Sequence, residues 1–476
     1  MKLGHLAALF LLGLSAFAAG TAASAGGAKR PEVEVVLTRD REAWVAQYHF
    51  NQPSPIWFFP RTSPSLDGRN WRLATYRVET PGVRLVRVGV FDALVSEKKS
   101  SLTDVRIAVT PFSTPLVGDY LPVVDFSDGG LAFYTGHFSV SPAPSVSAVL
   151  ALTPDVTLVD RRETFKIVDP QGRVLINGRV QPRSGHTALH DDGVYVYAGR
   201  GALEETSSFS QSIDPGLPSW AREDLVAFLP KLMTLYTEVL GPRKGSKPAA
   251  LVAYGGSAKP GYSQNGSVLE GMVVLSLSGA AMSTPNPAVR NSLIWIFGHE
   301  TSHFWLGQNV RYERLTDNWI TEGGADYLSL RAIKQLEPSY DIQKPWQGQM
   351  DDCLARIGPN EALASAHSPD KQHAVYSCGA LLSLAATSAA QRQTSSGDDF
   401  IFIKALLQRS SGNGVVNERI WLDTFALSAG SDARKSVAAY LDQGVANPVD
   451  FWADLFSKCG VGFEHTNGRI VLAPGI

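Results

Sequence analysis

Leu293-Ile294-Trp295-Ile296-Phe297-Gly298-His299-Glu300-Thr301-Ser302-His303 is an apolar run that ends in two histidines with a glutamate beside the first. Asn286 ahead of it is a good N-cap, Pro287 suits the first helical position, and Gly307 suits the C-terminal cap. The segment is therefore predicted to be a helix. Positions four apart share a helix face, so the rings of His299 and His303 point the same way, one turn apart. Two imidazoles so placed can reach one metal ion, and Glu300 projects beside them, where a carboxylate can take a proton from an attacking water. The residues before Gly298 are too apolar for a surface helix. The polar groups therefore emerge from a buried segment, where unpaired polar atoms are costly.

Glu322 lies 19 positions after His303, in Trp319-Ile320-Thr321-Glu322-Gly323-Gly324. That distance allows a loop and a second helix, Trp319 to Gln335, that packs back and delivers a third ligand. Asp326 is four residues further on and shares the face of Glu322. It can accept a hydrogen bond from the outer nitrogen of His299 and fix that ring's tautomer. Three protein ligands leave a fourth position open, as a catalytic site needs. Two imidazoles and a carboxylate suit Zn2+, although other divalent ions fit the same donors.

Around this segment the chain is long enough for two or three domains, at 476 residues. It is 44% hydrophobic and 18% charged with a net charge of -2, a globular balance with no basic patch, which argues against a nucleic-acid partner. Lys2, the apolar stretch Leu6 to Phe17 and Ala23-Ser24-Ala25 read as a signal peptide over residues 1–25. The expected location is outside the cytoplasm, periplasmic or extracellular. The apolar stretch is shorter than the ~20 residues a membrane span needs, so no stable membrane insertion is expected after cleavage.

Residues 26–206 read as β structure: short runs such as Val33 to Thr38, Trp44 to Phe50, Arg72 to Val78, Val83 to Phe91 and Leu131 to Ser139, separated by Asp-Gly and Pro-Gly turns. The polar stretch Ser207 to Pro218 marks a boundary. A helix from Pro218 to Leu240, two strands (Pro248 to Tyr254 and Val268 to Leu277) and the two metal helices make up 207–345. Residues 346–476 read as helical, with helices at Val375 to Gln391, Phe400 to Gln408, Glu418 to Leu427 and Val437 to Gly444. Cys353, Cys378 and Cys459 allow at most one disulfide, with three possible pairings. Cys353 with Cys378 is favoured over three free thiols. His186 and His190 are also four apart, but they lie among turn residues and read as a loop.

The motifs resemble a known group. H-E-x-x-H followed by 18 residues and then Glu is the gluzincin pattern of the aminopeptidase N family and the related glycyl aminopeptidase family. His303-Phe304-Trp305-Leu306-Gly307-Gln308-Asn309-Val310 looks like the H-x-W-x-G-x-x-V of the first. Trp319-Ile320-Thr321-Glu322-Gly323 looks like its W-x-x-E-G. Glu322 to Tyr327 is closer to the E-G-x-x-D-Y of the second. The resemblance implies a thermolysin-like zincin domain in an α+β multidomain chain, and an enzyme that hydrolyses peptide bonds. It also implies an oxyanion-binding tyrosine, which Tyr376 in Tyr376-Ser377-Cys378-Gly379 matches, with Cys378 in place of the usual lysine. A carboxylate that holds the substrate's amino end is implied too, and Glu270 in Gly266-Ser267-Val268-Leu269-Glu270-Gly271-Met272 is the candidate in an altered motif.

The sequence-level expectation is thus an exported zinc aminopeptidase acting on peptides or proteins. The alternatives are an endopeptidase of the same chemistry and a silent peptidase fold that binds peptides. Side-chain preference, physiological substrate and oligomeric state are not legible.

Overall fold

The computed structural model describes residues 31–153, 161–189, 192–366, 368, 370–466 and 468–476. The signal segment lies outside the described residues, as do His190 and Asp191. No described helix is long and apolar enough to cross a membrane. The chain divides into two compact units: residues 31–222 with 246–284, and residues 223–245 with 285–476.

The first unit is β-rich, as expected. Among its described residues a nine-stranded mixed sheet runs in the order Tyr76–Val78, Leu102–Val109, Ala43–Ser54, Val33–Asp40, Glu163–Ile176, Tyr195–Gly199, Leu131–Tyr134, Val123–Asp125, and Arg179–Leu189 pairs with Glu163–Ile176. Alternation drives it: in Val33–Asp40 the residues Val33, Val35 and Leu37 are buried and their neighbours are not. Two short helices interrupt the strands, α1 (Trp71–Thr75) and α2 (Val146–Leu150). The expected strand from Arg72 is therefore corrected. Asn70 accepts a hydrogen bond from the Leu73 amide and starts a helical turn, and the strand begins only at Tyr76. The predicted Val83 to Phe91 run is likewise a hairpin, because Gly89, at φ 59°, turns the chain between Val83–Val88 and Phe91–Ser96.

A five-stranded sheet completes this unit, in the order Leu203–Glu205, Ser210–Ile213, Ala249–Tyr254, Met272–Ser278, Ser263–Leu269. Ser210–Ile213 pairs in parallel with Ala249–Tyr254. Part of the polar stretch read as a boundary, Ser207 to Pro218, thus carries ladder hydrogen bonds. Its neighbours Leu251, Val274 and Leu269 share one apolar cluster with Phe126, Ala132 and Tyr197. The division by compactness consequently differs from one at residue 206. The two strands expected with the metal helices pack with the N-terminal strands instead.

The second unit is helical. Its helices are α3 (Ser219–Leu240, whose first turn belongs to the first unit), α4 (Pro287–Ser302), α5 (Asn318–Leu336), α6 (Gln343–Arg356), α7 (His373–Thr394), α8 (Ile401–Ser410), α9 (Glu418–Asp442, broken at Gly430) and α10 (Pro448–Cys459). A hairpin of Phe463–Thr466 and Arg469–Leu472 follows them, a strand pair that a purely helical tail did not anticipate. Helix α5 lies at the centre, with every residue from Asn318 to Ile333 buried. Such a helix cannot be read from amphipathic periodicity, since it has no solvent face.

Helices α5 and α7 meet through glycine. A Cβ on Gly379 would lie 2.3 Å from the Trp319 carbonyl oxygen, and one on Gly323 would lie 2.3 Å from Gly379 backbone. Both obstacles are main chain, so neither can swing aside. Gly379→Ala is expected to destabilise the protein by about 1–3 kcal/mol or more, through forced separation of the helices. A denaturant midpoint equal to that of the wild type would show that the helices can part at no cost.

Cys353 and Cys378 form a disulfide between α6 and α7, the pairing favoured from the sequence, and Cys459 is a buried free thiol. Burial pushes the Cys459 thiol up to about 12, so almost none is thiolate at neutral pH. A thiol reagent should find no reactive group in the native protein, one after unfolding without reductant, and three after reduction. A native thiol that reacts at once would contradict this burial.

Candidate metal centre

Helix α4 starts as the sequence implies. The Asn286 side chain accepts from the amides of Ala288 and Val289, and Pro287 is the first helical residue. Its end is earlier than Gly307, which is a correction. The helix stops at Ser302 because the hydroxyl of Ser302 takes the His299 carbonyl and the following amides turn inward on Thr301 and Ser302. His303 still has helical backbone, φ −63° and ψ −14°, so its ring keeps the face of His299. Gly298 lets α4 approach α5 closely: a Cβ there would lie 2.3 Å from Ser329 Oγ, which donates to the Trp295 carbonyl. Tyr236 of α3 donates to the Gly298 carbonyl at 2.9 Å and holds the other side.

This packing brings the predicted ligands together. His299 Nε2 and His303 Nε2 are 3.1 Å apart, and each is 3.4 Å from Glu322 Oε2. Among the described residues these three form the one cluster of potential metal donors. Their separations are close to the edge of a tetrahedron with bonds near 2.1 Å, which is about 3.4 Å.

Hydrogen bonding shows that a cation suits this arrangement. His299 Nδ1 donates to Asp326 Oδ1 at 2.7 Å, and His303 Nδ1 donates to the Leu306 carbonyl at 2.9 Å. Both partners can only accept, so each neutral ring carries its proton on Nδ1. Two Nε2 lone pairs then face each other and a carboxylate, which is repulsive without positive charge between them. Asp326 thus takes the place its spacing predicted. Burial opposes charge on both rings, but hydrogen bonds to Asp326 and Glu322 raise the pKa of His299 well above the ordinary value. The Glu322 charge raises that of His303. Burial works to raise the Glu322 carboxyl as well, but His303 and His299 outweigh it and hold the group far below the carboxylate range.

Glu300 is buried and is not one of the three clustered donors, as a base rather than a ligand should be. Burial raises its pKa, with Glu322 and Asp326 adding to the effect and the two histidines opposing it. Tyr376, near the start of α7, stacks on the His299 ring with centroids 5.8 Å apart. Burial, then the charges of Glu322, Asp326 and Glu300, push its phenol far up, so it stays a neutral donor. Glu270 is different. It occupies the exposed turn between Ser263–Leu269 and Met272–Ser278, in the first unit, and is not a member of the cluster.

Asp326→Asn tests the tautomer. An amide can donate to Nδ1 as well as accept, which lets the ring proton move to Nε2 and block the donor. Zinc affinity is expected to fall by about 10–100-fold, read by competition with a chromogenic chelator. Unchanged affinity would detach Asp326 from the site.

No family model matches the chain. The structure is similar to those of zinc metallopeptidases. One is a two-domain M1 zinc metallopeptidase mutant bound to L-tryptophan (15% identity, 86% of this chain and 93% of that one, TM-score 0.44). Another is an M1 zinc metallopeptidase mutant from Deinococcus radiodurans bound to a Tyr-Ser-Ala substrate (14% identity, 86% and 93%, TM-score 0.46). Native yeast LTA4 hydrolase also matches (12% identity, 87% and 68%, TM-score 0.46). At such identities function has to be read from the side chains.

Proposed function

We propose that this protein is a zinc metallopeptidase that removes residues from the amino end of peptides, exported by the segment 1–25. One observation carries the metal reading: two Nδ1-tethered imidazoles and a buried carboxylate aim three donors at one point. His299, His303 and Glu322 hold the ion. Bound zinc supplies Lewis acidity, polarising a carbonyl and lowering the pKa of water to ~7. Glu300 takes the proton from the attacking water and hands it to the leaving amine. Its raised pKa suits both halves of that task. Tyr376 donates to the oxygen on which charge develops.

The peptide specificity is supported by the motif resemblance over residues 298–327 and 376–379. The amine-end specificity is the finer claim, and it rests on the same motif resemblance. Zinc-loaded protein is to be tested on paired peptides with free and blocked amino ends. Cleavage of the free-amine set alone supports an aminopeptidase. Equal cleavage of both sets replaces it with an endopeptidase. No cleavage by protein that carries zinc removes the enzymatic reading.

A further inference from the structure

Asp326 accepts from two sides. Its Oδ1 takes the His299 proton, and its Oδ2 accepts from Gln349 Nε2 at 2.9 Å. Gln349 is on α6, four residues before Cys353, so both side chains leave one face of that helix. Cys353 is bonded to Cys378, two positions after Tyr376 on α7. Helix α6 therefore meets the support of His299 at one turn and the helix of Tyr376 at the next.

We propose that Gln349 is a positioning residue for the metal centre, acting through Asp326 on His299, and that the Cys353–Cys378 bond holds α6 in the place from which it acts. The proposal rests on the metal-site reading above. The Asp326 side chain is only 3% exposed, so each carboxylate oxygen needs a protein donor. With His299 on Oδ1 and Gln349 on Oδ2, the carboxylate plane is fixed, and with it the imidazole that Asp326 orients. A glutamine is suited to this because it donates without neutralising. A neutral donor leaves the carboxylate's charge to act on the Nδ1 proton, which strengthens Nε2 as a donor to a cation. A lysine there would pair that charge away. The covalent link matters because Gln349 reaches Asp326 from a different helix, and one amide hydrogen bond is too weak to hold a helix in register.

The test measures zinc affinity of the full-length protein by chelator competition and does not depend on turnover. Gln349→Met is expected to weaken zinc binding by about tenfold, the low end for groups that support a ligand. In an Asp326→Asn background the same change should have no further effect, within about twofold, because the two residues act in series. Cys353→Ser with Cys378→Ser should weaken binding by roughly three- to tenfold. Lys344→Ala, on the exposed side of α6, should change nothing. If Gln349→Met fails to fold, Gln349→Asn withdraws the amide by one methylene while keeping the side chain polar. Wild-type affinity in the Gln349 variants, or losses that add to that of Asp326→Asn, would overturn the proposal while leaving the metal site standing. Wild-type affinity in the double serine variant would remove the tether from it. A wild type that binds no zinc would overturn the metal reading itself.

Discussion

Glu300→Gln is expected to leave the protein folded and fully loaded with zinc, and to lower kcat by about 10³–10⁴-fold, the upper part of the range for a lost general base. The expectation follows from where the side chain sits. Glu300 is buried beside His299 but is not one of the three clustered donors, so the amide replaces it in shape without touching metal retention. What the amide lacks is basicity. Burial has raised the pKa of Glu300, and a carboxylate so poised can both accept a proton and return it. Metal content by emission spectroscopy and steady-state kinetics on one peptide decide the matter. A variant that keeps zinc and turns over within tenfold of the wild type would remove Glu300 from the chemistry.

Glu322→Ala should act at the other end of the site, by releasing the ion. Structural zinc sites bind with ~10–16 kcal/mol, and one of three ligands carries roughly 3–4 kcal/mol of that. The affinity should fall by about 10²–10³-fold, since each 1.4 kcal/mol is a factor of ten. Turnover at limiting zinc should fall with it. A second readout separates lost metal from lost fold. Zinc should raise the wild-type Tm, because a ligand that binds only the native state stabilises it, and the shift should vanish in the variant. A variant that still gains stability from micromolar zinc would mean that Glu322 is not a ligand.

The metal centre was legible because its chemistry is local in sequence. His299 and His303 are fixed by helix periodicity alone, and Glu322 and Asp326 share one turn of a single helix. Those spacings survive whatever surrounds them. The end of α4 was not legible in the same way. Gly307 reads as a cap, but Ser302 and Thr301 end the helix earlier through hydroxyl bonds that compete with the backbone. Gln349 had no local signal, since its partner is 23 residues away on another helix. Nor did the pairing of Ser210–Ile213 with Ala249–Tyr254, a parallel contact across a whole helix, which moves the expected boundary. Arg72 shows the same limit in the β-rich unit. It stands at the start of an expected strand, and nothing local to it signals that it is fully buried against Asp92 and the rings of Phe59 and Trp71.

The bond between Cys353 and Cys378 has a practical side for anyone who makes this protein. Disulfides form in oxidising compartments and are rare where glutathione keeps thiols reduced. Preparations of residues 26–476 from host cytosol and from an oxidising compartment would share every residue and still be distinct molecules, lighter by two hydrogens in the second case. Weighing the intact polypeptide is then the first quality check, before any kinetic constant from two laboratories is compared.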